Sequence, residues 1–180
     1  FPNNIKNQFL RLLYSTTKHP NWSDIEYLYY KLLNQYQDVE RNRSEFGMQI
    51  NYSTAKGLNK EFDIVKDCLS KYLIEEQRNI KLLDGYQQLF KLCDKKGTIV
   101  LNFNYTDTVK KYLKNCEHIQ LINIHGELEN HDNPIIFGYA ATEQEAKGLL
   151  EKNDTELLMN IKRYNYHLTD NEVKLREFVN

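Results

Sequence analysis

Asn104 and His125 are the residues of this sequence best suited to chemistry, because each directly follows a short, apolar, β-branched run. A side-chain amide both donates and accepts hydrogen bonds, and an imidazole can take up or release a proton near neutral pH. The runs are Thr98-Ile99-Val100-Leu101-Asn102-Phe103 and Ile119-Gln120-Leu121-Ile122-Asn123-Ile124, with a third at Ile135-Ile136-Phe137. Behind the first come Asn104, Tyr105, Thr106 and Asp107; behind the second, His125, Gly126 and Glu127; behind the third, Gly138 and Tyr139. In a parallel α/β sheet, ligands bind outside the carboxyl ends of the strands. Parallel strands are therefore expected to bring all these groups to one edge.

Each residue also has a plainer role. Asparagine is a common turn former, and His125 could simply hydrogen-bond a loop. Gly126 and Gly138 read as turn glycines at positive φ. Tyr105 and Tyr139 read as half-buried packing, and Glu127 as a solvated loop acid. Lys110, Lys111 and Lys114 read as a solvated helix face. Cys116, His118, His125 and His131 lie close together, but their spacing matches no zinc pattern, so no metal is expected. The sequence contains neither a P-loop nor a complete glycine-rich dinucleotide loop.

The elements that must position these groups fall into two portions: a helical portion over 1–96 and an α/β portion over 97–180, expected to form one domain. Residues 4–17 carry Ile5, Phe9, Leu12 and Leu13 at helical spacing, ending before His19-Pro20. Ser23 and Glu26 have capping-box spacing, followed by one apolar stripe of Ile25, Leu28, Tyr29, Leu32, Leu33 and Tyr36. A polar loop is expected over 38–57. A long helix should follow over 59–78, with Phe62, Val65, Leu69, Tyr72 and Leu73 inward. Another is expected over 80–96, ended by Lys95-Lys96-Gly97.

The pattern changes at Gly97. Two strands flank a helix over 106–115 with Val109, Tyr112 and Leu113 inward, which implies a right-handed parallel crossover. Only about ten residues separate the second run from the third, fewer than a parallel crossover usually needs. Thr142 and Glu145 form a second capping box, opening a helix to about 152. Further helical stretches are expected over 155–164 and 170–179. The fold class is accordingly α/β and Rossmann-like, a short, mostly parallel sheet with a large helical portion.

Composition excludes several classes. The 24 basic and 25 acidic residues are interspersed and leave a net charge of −1, which disfavours nucleic acid as a partner. No apolar run is long enough to cross a bilayer. No secretory signal opens the sequence, which starts at Phe1 rather than Met. Cys68, Cys93 and Cys116 are odd in number and widely spaced, as expected of reduced thiols in a cytoplasm.

Three motifs in order, Phe103-Asn104-Tyr105-Thr106-Asp107-Thr108, Ile124-His125-Gly126-Glu127-Leu128 and Ile136-Phe137-Gly138-Tyr139, resemble the AbiH family of bacterial abortive-infection proteins. Trp22-Ser23-Asp24-Ile25-Glu26 resembles an earlier tryptophan segment of the same family. The resemblance implies a role in defence against phage. The Asn-Tyr and His-Gly pair is also similar to sirtuin-like NAD-consuming domains. That similarity implies Asn104 orienting a ribose or a water and His125 acting as the base. Tyr105, Thr106, Asp107, Gly126, Gly138 and Tyr139 would complete the NAD site. Such families begin with a strand and a glycine-containing phosphate loop, so the first strand is expected to be missing before Ile5. They also place an acid directly after Asn-Tyr, where this sequence has Thr106 ahead of Asp107. The expected activity is NAD glycohydrolysis; the alternatives are a non-catalytic nucleotide sensor and a helical protein-interaction module. Expected partners are a nucleotide, a phage or host protein trigger and a second copy of the chain.

Overall fold

The computed structural model describes residues 6–17, 21–35 and 55–179. It is mostly helical. The helices are α1 (Gln8–Thr16), α2 (Trp22–Gln35), α3 (Ala55–Arg78), α4 (Asp84–Cys93), α5 (Thr108–Tyr112), α6 (Glu143–Leu150), α7 (Lys162–Asn165) and α8 (Asn171–Val179). Among the described residues the sheet has two strands, β1 (Thr98–Asn102) and β2 (Ile119–Asn123). No described helix is long and apolar enough to cross a membrane. The chain divides into two compact units. The first is Phe1–Asp67 with Gly138–Tyr164, the second Cys68–Phe137 with Asn165–Asn180.

In the first unit, α1 and α2 bury the stripes their spacing predicts. Phe9, Leu12 and Leu13 of α1 and Ile25, Leu28, Tyr29, Leu32 and Leu33 of α2 are in the core. Ile5, His19-Pro20 and Tyr36 lie outside the described residues, as does most of the expected loop over 38–57. The α2 cap differs from expectation. Asn21, not Ser23, is the N-cap: its Oδ1 accepts from Asp24 N at 3.1 Å, and Asp24 Oδ2 accepts from Asn21 N at 3.0 Å. Asn-x-x-Asp satisfies two orphan amide donors two residues earlier than Ser-x-x-Glu would. Glu26 is thereby free to pair with Lys162 at 2.7 Å, both largely buried. At Thr142 and Glu145 the expected capping box is present.

α3 begins at Ala55, ahead of the predicted start, and this turns Leu58 and Asn59 into the core. Asn59 is 2% exposed and fully engaged. Its Oδ1 accepts from the Tyr29 hydroxyl at 2.6 Å, and its Nδ2 donates to the Glu156 carbonyl and carboxylate at 2.9 and 2.8 Å. Asn160, also buried, donates to the Tyr29 oxygen and accepts from Lys66 Nζ at 2.8 Å. Burial of the Tyr29 ring holds its hydroxyl protonated far above the ordinary phenol range. Residues 155–164 form no single helix. A 3₁₀ turn spans Thr155–Leu157, and the backbone of Asn160 and Lys162 then pairs with Tyr139 instead of continuing helically.

In the second unit, β1 and β2 run parallel in register, from Thr98 opposite Ile119 to Asn102 opposite Asn123. α5 and a 3₁₀ turn at Leu113–Asn115 form the crossover, and α8 packs on β2. The third predicted strand does not form. Ile136 N donates to the His125 carbonyl at 2.7 Å and the Ile136 carbonyl accepts from the Tyr105 hydroxyl, so this segment binds the loops instead of the ladder. α4 ends at Cys93, short of Gly97, because the Asp94 carboxylate accepts from the Glu117 and His118 amides at 2.9 and 2.8 Å. Those two bonds hold the Asp94 carboxyl below the usual carboxylate range. Gly97, at φ +80°, lies in the turn that leads into β1. In the second half of α3 the inward face follows Leu69, Leu73 and Gln77, steps of four residues, and leaves Tyr72 exposed against expectation.

Asn59→Ala should destabilise the protein by about 1–3 kcal/mol, since it strips the Tyr29 hydroxyl of its acceptor in a dry core. Urea unfolding of the variant against the wild type measures this.

Candidate functional site

The carboxyl ends of β1 and β2 carry the two central candidates on adjacent loops. Neighbouring strands lie about 4.8 Å apart, so residues following paired strand ends start as close neighbours. Asn104 is exposed, and its backbone N–H and carbonyl are both bound by the side chain of Asn102 at 3.1 Å. His125 occupies the turn closed by Gly126 N donating to the Asn123 carbonyl at 3.1 Å. The two loops are joined directly, by Leu128 N donating to the Tyr105 carbonyl at 3.0 Å.

His125 is half-buried among aromatic rings. Phe103 meets it edge-on with centroids 5.4 Å apart, Tyr166 stacks at 6.0 Å, and Tyr105 lies tilted at 6.2 Å. These rings pack around the imidazole on several sides. Gly126 allows the turn for two reasons: its φ is +81°, and a Cβ there would sit 2.0 Å from the Pro134 carbonyl oxygen. The expectation of positive φ therefore holds at Gly126.

Thr106 and Asp107 lead into α5. The Thr106 and Thr108 hydroxyls are 3.0 Å apart, and Asp107 N donates to Gln77 Oε1 at 3.1 Å. Asp107 pairs with Lys111 at 2.9 Å, and Lys111 also donates to the Gln77 carbonyl at 2.6 Å. Lys111 is thus an anchor of α5 on α3 and not part of a solvated face. Glu127 likewise departs from the solvated-acid expectation. Its side chain is 13% exposed, held by Lys110 at 3.3 Å, Asn130 at 3.2 Å and Asn123 at 3.4 Å.

Gly138 and Tyr139 belong to the first unit and follow no strand of this sheet. Gly138 is not at positive φ; it is required because a Cβ would lie 2.1 Å from the Asn160 carbonyl oxygen. Tyr139 stacks on Tyr30 at 3.9 Å, nearly parallel, and its hydroxyl donates to Glu145 at 3.3 Å. Burial first, and then the Glu145 charge, push the Tyr139 hydroxyl up to about 12.

The sequence matches one known family, bacteriophage abortive infection AbiH, along residues 3–180. The chain belongs to the AbiH family. Comparison with curated proteins and with solved structures returned no match. The motifs that carry the family resemblance at Asn104 and His125 are the loops joined above.

Sequence reasoning missed Asn102, Asn123, Asn133, Asn171 and Tyr166, which surround the AbiH motifs. Asn133 and Asn171 donate to the Asn123 carbonyl at 3.2 and 2.8 Å, and Asn171 also donates to Asn133 Oδ1 at 2.9 Å. A signal did exist for two of them. Asn102 and Asn123 are the polar final residues of otherwise apolar strands, and they face each other in register. Tyr166 is one of thirteen tyrosines and had no distinguishing spacing.

Gly126→Ala should lower stability by roughly 2 kcal/mol or more, from the left-handed backbone and the clash with Pro134 together. A thermal melt tests it. Tyr139, whose proton is held more tightly in the folded state, contributes stability that is present below pH 10 and lost as pH rises from 10 towards 12. Alkaline unfolding followed through tyrosinate absorbance should therefore be less steep in Tyr139→Phe.

Proposed function

We propose that this AbiH family member defends bacteria against phage by binding NAD, or a related nucleotide, at the carboxyl edge of β1 and β2 and cleaving its nicotinamide–ribose bond. The observation that carries the reading is the pairing of the Asn104 loop and the His125 turn on adjacent parallel strand ends. The similarity to sirtuin-like domains supplies the substrate class. β1, α5 and β2 are then the fragment of a Rossmann-like sheet that bears the site, and the cytoplasm, where NAD is held, is the place of action.

The donor set suits such a ligand. The Asn104 amide is exposed, with no side-chain hydrogen-bond partner among the described residues, and can meet a ribose hydroxyl or a water. Asn104 orients that group, and His125 accepts its proton. The bond between ribose C1′ and the nicotinamide nitrogen breaks, and its electron pair leaves with nicotinamide. Water oxygen forms the new bond to C1′, giving ADP-ribose and one proton. Thr106, Asp107 and Tyr105 would contact the ligand from the β1 side, and Gly126 permits the turn that carries His125 by admitting the Pro134 backbone. Gly138 and Tyr139, which the family resemblance also assigns to the ligand, belong to the first unit and are not part of this donor set. Phage infection, sensed through a phage or host protein or through self-association, is the trigger.

The full-length protein, incubated with NAD with and without phage components, should release free nicotinamide. His125→Ala and Asn104→Ala should each reduce the rate by roughly 100-fold or more while melting like the wild type. Turnover retained in His125→Ala would sink the assignment of the base. Saturable NAD binding without product would identify a sensor instead, and the absence of both would leave an interaction module.

A further inference from the structure

We infer that Asn102 is a positioning residue which, through Asn123, holds the Asn104 loop and the His125 turn in one fixed arrangement; this rests on the reading of Asn104 and His125 as the reacting pair. Asn102 is 3% exposed, so it acts through its neighbours and not on a ligand. It spans three groups with one amide. Its Oδ1 accepts from Asn104 N at 3.1 Å, and its Nδ2 donates to the Asn104 carbonyl at 3.1 Å and to Asn123 Oδ1 at 2.8 Å. The orientation of that amide is determined, because the Asn104 N–H can only donate and must face the oxygen.

Asn123 continues the chain on the other side. Its Nδ2 points to the Glu127 carboxylate at 3.4 Å, again an acceptor that fixes which way the amide faces. Its carbonyl accepts from Gly126 N, Asn133 Nδ2 and Asn171 Nδ2, which sets the turn that carries His125. A run of oriented amides therefore connects the backbone of Asn104, through the buried Asn102, to the turn of His125. Hydrogen bonds in such a run reinforce one another, and a displacement at one end is passed to the other. No other residue type does the same work at position 102. Serine reaches fewer partners, and aspartate sets a carboxylate oxygen against the Asn104 carbonyl and Asn123 Oδ1.

The test uses Asn102→Ser and Asn123→Ser in the full-length protein, both neutral. Asn123→Ser leaves the Asn123 carbonyl contacts in place and carries the test if Asn102→Ser fails to fold. In NMR spectra, Asn102→Ser should move the His125 imidazole resonances, and Asn123→Ser should move the Asn104 amide resonances; each variant thus disturbs the loop that its altered side chain does not bond. In NAD turnover, kcat should fall roughly 10- to 100-fold, the scale expected when reacting groups are misplaced by about 1 Å, while KM stays within about threefold. Resonances that move only on the altered residue's own side, or an unchanged kcat in a folded variant, would overturn the positioning role. A wild type without turnover would overturn the nucleotide reading alone, and the cross-loop shifts would still decide the coupling.

Discussion

A side-chain amide buried at the end of a strand must find partners for two donors and an acceptor, since each one left unmet costs about 1–3 kcal/mol. Asn102 and Asn123 meet this demand by bonding to each other and to the loops that follow them. The carboxyl edge of the sheet depends on that solution. If Asn102 turned outward, the Asn104 backbone would lose both of its clamps, and the two loops would be held by the Leu128 to Tyr105 bond, the Ile136 brace and the rings around His125. The sheet that the described residues form has two strands, and such a sheet has little rigidity of its own. Its side-chain amides supply at the edge what further strands would supply in a larger sheet.

The segment over 134–137 shows the same economy. It reads as a strand from composition, yet it serves as a brace, with Ile136 bound through its N–H to His125 and through its carbonyl to Tyr105. Ile136 and Phe137 are buried as their type demands, so the hydrophobic signal was correct and only the pairing differed. Gly126 makes the brace possible by letting Pro134 approach to a distance no side chain tolerates. α8 adds Asn171, whose amide ties the brace to the end of β2 through Asn133 and Asn123.

In the first unit the governing feature is again a buried polar cluster, that of Tyr29, Asn59, Asn160 and Lys66, set within an apolar core. It explains where helical order stops: Asn160 gives its side chain to α2 and α3 and its backbone to Tyr139, so the chain cannot continue as helix there. Gly138 follows from this contact, because only a residue without Cβ can sit on the Asn160 carbonyl. Tyr139 then lies flat on Tyr30 with Glu145 as its acceptor.

The local and periodic features of this protein were legible in its residues. Apolar stripes at helical spacing located the buried faces of α1, α2 and the first half of α3, since amphipathic burial depends only on which residues recur each turn. Runs of β-branched residues located β1 and β2, and the helix between them implied that they are parallel. The motifs at Asn104 and His125 identified the family. What only tertiary structure decided was the destination of each polar group. Nothing in local spacing says that Asn21 would cap α2 in place of Ser23, that Asp94 would end α4, or that Ile136 would bond to a loop. Those outcomes depend on partners 3 to 31 positions away in sequence. They are settled by directional hydrogen bonds in a dry interior, where the choice of partner carries the energy and the sequence order of the partners does not.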